Sequence, residues 1–260
     1  MKVKILKKKE NHLSFLLEGV TPAFANALRR IMISEIPVLA VDSVIFEENG
    51  SVLFDEVLAH RMAMIPLKFD PEKFVFQSAC KCGGKGCPSC QVVFAVEKAG
   101  PAVVYSGDFK STNKAVTPVE EGVPIVKLLK GQRLKAQAIA KLGIGRDHAK
   151  FHAANAAYQY YPEIEVLDAQ KAADIPASIC PTGVLSIKGK SIEIKNPAAC
   201  DICRACEQAV KGAIKLKADG TRFIFNIESV SGLKPKDIVM MSADVLNEKA
   251  KEFEKLCEKL

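Results

Sequence analysis

The chain has 260 residues, of which 48% are hydrophobic and 26% are charged, and it carries a formal net charge of +7. This composition is that of a globular protein with enough chain for one large core or two to three small ones. No apolar run reaches the length of a membrane-spanning helix. The N-terminal residues alternate between polar and apolar and do not form the apolar core of a signal peptide. We therefore expect a cytoplasmic protein without membrane contact.

The positive charge is spread along the chain. Lys7, Lys8 and Lys9 form the only dense basic run, and the sequence contains no tryptophan. A diffuse excess is more typical of a solvated surface than of a nucleic-acid site, and the aromatic residues do not interleave with arginine as a base-stacking platform requires. We expect no base-specific contact with nucleic acid. Strong, salt-dependent DNA affinity of the isolated chain would favour the alternative, a free-standing nucleic-acid binder.

The first elements are two predicted strands and a helix. Residues 3–6 and 13–17 read as strands joined by a polar turn. Thr21 is a good N-cap and Pro22 suits the first helical turn, so a helix is predicted to start here. Its apolar stripe is bordered by two arginines, which suits an interface with acidic groups of a partner. The candidate interface residues on this helix are Phe24, Leu28, Arg29, Arg30 and Ile31.

The middle of the chain has a mostly β signature. Residues 41–46 alternate as a strand, and residues 55–64 indicate a short helix that ends before a proline. Further strands are predicted at 91–96 and 102–105. Residues 107–124 are polar and broken by glycine and proline, so we expect a surface excursion there.

Eight of the nine cysteines fall into two clustered sets. The first cysteine set is Cys80, Cys82, Cys87 and Cys90. Close spacing in a chain without a secretory signal favours metal ligation over disulfides. Intervening glycines allow the tight turn that tetrahedral convergence needs, so we predict a structural zinc site. A metal-free loop and a second iron–sulfur cluster are the alternatives.

The second cysteine set is Cys180, Cys200, Cys203 and Cys206. The spacing Cys-x2-Cys-x2-Cys, with a remote cysteine followed by Pro181, is that of bacterial-type ferredoxins, which predicts one [4Fe-4S] cluster. A [3Fe-4S] form on three of these ligands stays open, as does zinc. The positions where a second cluster would find its ligands hold Gln170, Ala173, Pro176 and Val210. One cluster is therefore expected.

The remaining elements are a hairpin, a strand and a terminal helix. Residues 184–187 and 191–194 indicate a hairpin around Gly189, and residues 222–227 a strand. From about Pro235 to the C-terminus we predict a helix with one apolar face, which packs on the chain's own core or on a partner. That face carries Leu246, Ala250, Phe253, Leu256 and Leu260, of which Leu246 and Phe253 are interface candidates. A lone cysteine at helical spacing, Cys257, is usually core or surface.

Three blocks of the sequence resemble the alpha-like subunits of archaeal RNA polymerases, which carry the designation D. They are residues 21–31 (TPAFANALRRI), 55–67 (DEVLAHRMAMIPL) and 143–150 (GIGRDHAK), followed by 155–158 (NAAY) and 161–162 (YP). Their order matches the alpha-subunit pattern, and the ferredoxin-like insertion points to the archaeal branch. Ligand spacing in the first cysteine set varies within that family.

The resemblance implies an α+β fold with three parts. A split dimerisation domain would comprise residues 1–38 and 219–260, with a mostly β insert domain at 39–165 and a small ferredoxin-like domain at 166–218. The chain would pair with subunit L, assemble with subunits N and P, and dock the two large catalytic subunits, which Arg29 and Arg30 would contact. It would thus be a non-catalytic part of a nucleotidyltransferase.

The residues themselves agree with a non-catalytic role. Nucleotide addition uses metal ions held by clustered carboxylates, and the sequence has neither an Asp-x-Asp-x-Asp cluster nor a P-loop. His60 and His148 lie in the shared blocks without a neighbouring nucleophile, which favours hydrogen-bonding roles. The alternative function is ferredoxin-type electron transfer, which a reversible redox signal coupled to turnover would support.

Overall fold

The computed structural model describes residues 1–188 and 191–259. Its mixture of helices and strands confirms the predicted α+β class. The first elements are β1 (Lys2–Lys8), β2 (His12–Glu18), α1 (Pro22–Ser34), β3 (Val38–Asn49), α2 (Asp55–Ala63), β4 (Leu67–Lys68), β5 (Gln91–Ala99) and β6 (Ala102–Tyr105). The next are β7 (Lys110–Ser111), β8 (Thr117–Pro118), β9 (Pro124–Leu128), β10 (Arg133–Gly143) and β11 (Ala154–Val166). The last are α3 (Ala169–Ala173), β12 (Leu185–Lys188), β13 (Ser191–Ile194), α4 (Ala205–Ala209), β14 (Ile214–Ser229) and α5 (Pro235–Cys257).

The chain divides into two compact units. The first comprises residues 1–9, 13–26 and 157–226. The second comprises residues 10–12, 27–156 and 227–260. These units do not test the predicted boundaries of the three-part organisation, which stay a prediction.

A four-stranded sheet with the order β1-β2-β14-β11 dominates the first unit. The predicted strands at 3–6 and 13–17 are confirmed as β1 and β2, which pair antiparallel. Aromatic side chains fill the interior: Phe15 stacks on Phe225 with ring centroids 5.1 Å apart, and Tyr158 meets Phe223 edge-on at 5.4 Å. Such pairs stabilise a core beyond the area they bury. All residues of β1 are exposed.

The small cysteine-bearing part of the first unit has a hydrophobic core of its own. The helices α3 and α4 and the hairpin β12–β13 surround it, and Ala172, Ile175 and Ile214 are buried within it. The predicted hairpin is confirmed, since Leu185 pairs with Ile194. Its turn at Gly189 lies outside the described residues. The ferredoxin-like assignment of this part stays a prediction.

The second unit is built on a sheet with the order β3-β10-β5-β7. The long central strand β10 alternates between buried and accessible positions. Its inward positions include Ala136, Ala138 and Ala140, which are at most 1% exposed. Small side chains here leave room for large ones from the facing elements, such as Phe94 and Met62, which are fully buried in the same core.

The prediction of a surface excursion at 107–124 is wrong for its apolar residues. Phe109 and Val116 are 7% and 1% exposed and belong to the core of the second unit. The polar residues around them satisfy the backbone locally, because the Ser106 hydroxyl donates to the Glu120 carbonyl at 2.5 Å. Lys98 Nζ in turn lies 2.6 Å from Asp108. Glycine and proline therefore mark tight turns that bring apolar side chains inward.

The helices begin where the sequence indicates. Thr21 Oγ1 accepts a hydrogen bond from Phe24 N at 3.3 Å, as an N-cap does, and α1 starts at Pro22. The terminal helix α5 starts at Pro235 and ends at Cys257, and Leu260 lies outside the described residues. None of the described helices combines the length and the apolar character needed to cross a bilayer.

An ion triplet fixes the shared block at 143–150 to β3. Asp42 lies 2.7 Å from Lys141 Nζ and 2.7 Å from Lys150 Nζ. Burial opposes ionisation of this carboxyl group, but the hydrogen bonds and positive charges of the two lysines prevail and lower its pKa. His148 has the hydrogen-bonding role predicted for it, because its Nδ1 accepts a hydrogen bond from Lys150 N at 3.1 Å.

The Asp42→Asn variant is expected to be less stable than wild type by about 1–2 kcal/mol at pH 7. Because the folded-state pKa of Asp42 is lowered, the stabilisation is complete above the ordinary carboxyl pKa of about 4 and is lost as the pH falls through the folded value. Urea unfolding at pH 7 and pH 3 measures both free energies. Asp147→Asn removes an exposed carboxylate and serves as the control. A difference that persists unchanged at pH 3 would contradict the expectation.

Candidate metal and cluster centres

The first cysteine set lies in the segment that leads into β5. Three glycines between the ligands, Gly83, Gly84 and Gly86, have φ angles of 64°, 80° and 87°. These left-handed conformations are open to glycine at little cost and allow the backbone to reverse within a few residues. The glycine-assisted turn predicted from the sequence is confirmed. It brings residues at both ends of the segment together.

The four thiols of this set converge on one point. Their sulfur atoms all lie within 4.8 Å of one another, and the Sγ–Sγ distances are 3.5 Å for Cys80–Cys87, 3.7 Å for Cys82–Cys90 and 3.8 Å for Cys87–Cys90. A tetrahedral zinc ion with Zn–S bonds of about 2.3 Å holds its sulfur ligands about 3.8 Å apart. The set therefore has the geometry of a closed, four-ligand metal site.

The thiols of this set differ in their tendency to ionise. The pKa of Cys82 is lowered to about 6, first by a hydrogen bond from the Cys80 thiol and further by the backbone N–H groups of Gly84 and Gly86. Burial, together with the neighbouring sulfur atoms, raises the pKa of Cys90 to about 12. A cation at the centre would favour the thiolate form of every member.

The second cysteine set lines a single cavity in the small part of the first unit. Cys200 and Cys206 are buried, Cys180 is half-buried and Cys203 is exposed. Among the described residues, the first set is the only group of three or more histidine, cysteine, aspartate or glutamate side chains whose donor atoms all lie within 4.8 Å of one another. The second set is thus more widely spaced. Four thiolates that bind separate irons of a cluster need such spacing, whereas four on one zinc ion do not.

Backbone groups around the second set point at sulfur. Ile202 N lies 3.4 Å from Cys200 Sγ. Burial opposes ionisation of Cys180, but hydrogen bonds from the Thr182 hydroxyl and from the backbone N–H groups of Thr182, Val184 and Leu185 lower its pKa. Hydrogen bonds to the sulfur ligands tune and stabilise clusters. Sequence spacing does not reveal these donors, and the Pro-Thr-Gly turn after Cys180 is the only signal for them.

The loop that carries three of these cysteines is coiled around Cys203. Ile202 and Arg204, on either side of it, have φ angles of 56° and 62°. Left-handed conformations are uncommon for branched or bulky residues and persist where the surroundings fix them. The buried thiols of this loop resist ionisation, because burial first, and then nearby negative charge, raises the pKa of Cys200 and of Cys206. The four cysteines of the second set and the cavity that they line therefore fit a cationic centre, which would favour the thiolate form that burial opposes.

The predicted interface residues on α1 lie in different environments. Leu28 and Ile31 are 7% and 4% exposed, so they pack within the chain itself. Phe24 and Arg29 are half-buried, and Arg30 is exposed.

On α5 the predicted face becomes free of the chain towards its end. Leu246 is half-buried and all described residues from 247 to 259 are exposed. Phe253 is 69% and Leu256 57% exposed. An ion pair joins Lys249 on this part of the helix to Glu35, the residue that follows α1.

The chain is similar in sequence to proteins of known family. Residues 41–166 match the family model of the RNA polymerase Rpb3/RpoA insert domain. DNA-directed RNA polymerase subunit Rpo3 of Archaeoglobus fulgidus is 37% identical over 259 residues, covering 99% of this chain and 98% of the relative. The chain belongs to the Rpo3/Rpb3 family of RNA polymerase subunits. Rpo3 of Methanosarcina acetivorans is 38% identical over 100% of this chain and 99% of the relative, and subunit rpb3 of RNA polymerase II from Dictyostelium discoideum is 35% identical over 97% and 93%.

Membership in the Rpo3/Rpb3 family gives the fold its context. The matched insert-domain segment contains β5, β7, β10, most of β3 and the whole first cysteine set, and the second set lies beyond it. The archaeal relatives bear the name Rpo3, so the narrower designation D goes beyond what these similarities show.

Proposed function

We propose that this chain is the alpha-like, non-catalytic subunit of an archaeal RNA polymerase, the one designated D. It would pair with subunit L, associate with subunits N and P, and form the platform on which the two large catalytic subunits assemble in the cytoplasm. The observation that carries this proposal is the end-to-end relationship to archaeal Rpo3. The chain is thereby a part of a nucleotidyltransferase, and we assign no catalytic residue to it.

The domain organisation is proposed along the same lines. Residues 1–38 and 219–260 form the dimerisation domain, 39–165 the insert domain and 166–218 the ferredoxin-like domain. The exposed terminal part of α5 supports the first assignment, because Phe253 and Leu256 present a free apolar stripe. Exposed apolar stripes of this kind are typical of helices that pack on another subunit.

Structural zinc is the proposed occupant of the first cysteine set. The close Sγ–Sγ distances and the lack of a free coordination position support a closed site that staples a polar loop. When bound, the ion would supply cohesion and no chemistry. Its expected effect is on the stability of the insert domain.

An iron–sulfur cluster, [4Fe-4S] or [3Fe-4S], is the proposed occupant of the second set. The shared cavity, the wider spacing and the backbone donors support it. The cluster would stabilise the small domain and so make polymerase assembly depend on iron and oxygen. Electron transfer is the second candidate, and the exposure of Cys203 favours it, because an accessible ligand brings the centre close to a redox partner.

Anaerobic co-purification of the chain with its native partners tests the proposal. Subunit L and both large subunits are expected in the product, together with about one zinc and about four irons if the cluster is a cubane. Recovery of the chain alone would contradict the platform function. Recovery with redox enzymes would favour the electron carrier.

A further inference from the structure

A groove on the second unit has an apolar floor and an acidic rim. It lies between the segment after β4 and the first turns of α5 and has a volume of about 580 Å³. Its floor is apolar and adaptable: Leu233 is buried, Phe69 and Met241 are half-buried, and Met240 is 58% exposed. Methionine side chains adjust to irregular apolar partners and recur in grooves that accept helices.

Tight packing builds the floor of this groove in advance. A Cβ atom on Gly232 would lie 1.9 Å from the Leu67 carbonyl oxygen, so only glycine permits this close approach of the two segments. The Ser229 hydroxyl donates to the Leu233 carbonyl at 2.6 Å and holds the turn before α5. A preformed floor lowers the ordering cost that binding must overcome.

The rim of the groove is acidic although the chain carries a net charge of +7. Four carboxylates line it, against the single cation Lys234; they are Asp70, Glu72, Asp237 and Asp244. Asp70 has a local role, because it caps a short 3-10 turn and pairs with Lys73 at 3.2 Å. Asp237 suits the positive end of the helix dipole.

Two of the rim carboxylates have no such local explanation. Throughout the part of the chain that the structure describes, the side chains of Glu72 and Asp244 have no hydrogen-bond or ion-pair partner. Asp244 follows Met240 by one helical turn, so charge and apolar surface share one face of α5.

We propose that this groove docks a basic, amphipathic segment of another protein chain. The apolar side chains of the segment contact the methionine floor and its lysines or arginines contact the acidic rim. Charge complementarity of this kind steers association and selects the partner. The site is independent of both cysteine sets and of the free end of α5. It goes beyond the proposed function, in which the exposed terminal part of α5 is the surface that supports pairing with another subunit.

Methyl NMR of the full chain with 13C-labelled methionine tests the groove directly. The probe is an 18-residue peptide of leucine and lysine at helical spacing. We expect saturable shifts of the Met240 and Met241 methyl signals, and a more than tenfold loss of affinity in the Glu72→Gln/Asp244→Asn variant. The same peptide with glutamate for lysine is expected not to bind. Unmoved methionine signals, or equal binding by both peptides, would overturn the proposal.

A photo-crosslinker in place of Met240 identifies the occupant in the purified complex. An adduct on a segment of another chain that is rich in lysine or arginine is the expected result. An adduct on an acidic segment or on a second copy of this chain, or no adduct, would overturn the proposal. Absence of polymerase subunits from the complex would overturn the proposed function, while the peptide titration would still decide the groove.

Discussion

Simultaneous replacement of Cys203 and Cys206 by serine is expected to abolish iron binding and to reduce assembly with the polymerase partners more than about tenfold in air. Two thiolates remain in this variant, which is too few for either a four-iron or a three-iron cluster. Cys206 is also only 8% exposed within the core of the small domain. A cluster held by the second set would be anchored in that core, so its loss would destabilise the core.

Iron content and subunit recovery, measured side by side, separate the possible roles of the cluster. Gln208→Ser is the control, because it places serine at an exposed position of α4, close to the second set and outside it. If the double variant lacks iron and still recruits the partners as well as wild type, assembly does not depend on the cluster. If it keeps its iron, the second set is not the ligand set.

Replacement of Cys82 and Cys87 by serine is expected to remove about one zinc per chain and to destabilise the insert domain by several kcal/mol. Structural zinc contributes about 10 kcal/mol or more to the folding of small zinc domains, and part of that is lost here with the ion. Cys90, which is fully buried immediately before β5, would lose the cation that stabilises its thiolate. The segment between the ligands would then open to proteases.

Metal analysis and limited proteolysis with mass spectrometry measure these two effects. Ser89→Ala, an exposed position in the same loop, controls for perturbation of the loop itself. A wild-type protein that carries no zinc would show that the first set is not a zinc site. Equal protection of wild type and the double-cysteine variant would show that the ion does not staple the loop.

Much of this architecture follows from local sequence signals. Alternation predicts β1 and β2, and the Thr21–Pro22 pair predicts where α1 begins, because capping and strand pairing depend on neighbouring residues. The convergence of the first cysteine set follows from spacing and glycine content, and the structure confirms it. Features that depend on a few neighbouring residues can therefore be predicted from the sequence.

Other features depend on contacts that no local pattern reveals. The strand β10 carries alanines at its inward positions, which favour helices by propensity, and its burial on a sheet comes from partners distant in sequence. Phe109 and Val116 are buried for the same reason. The acidic groove combines Asp70 with Asp244, so the fold alone assembles it.

The small domain begins and ends at one place. Leu167 N donates to the Ala213 carbonyl at 2.8 Å, where β11 runs into the domain and β14 leaves it. Since these strands are neighbours in one sheet, the domain replaces what would otherwise be the connecting loop of two adjacent strands. Insertion at such a point costs the host little in chain entropy. This part of the chain is thus a separable module, which can be remodelled or removed while the sheet that supports it stays intact.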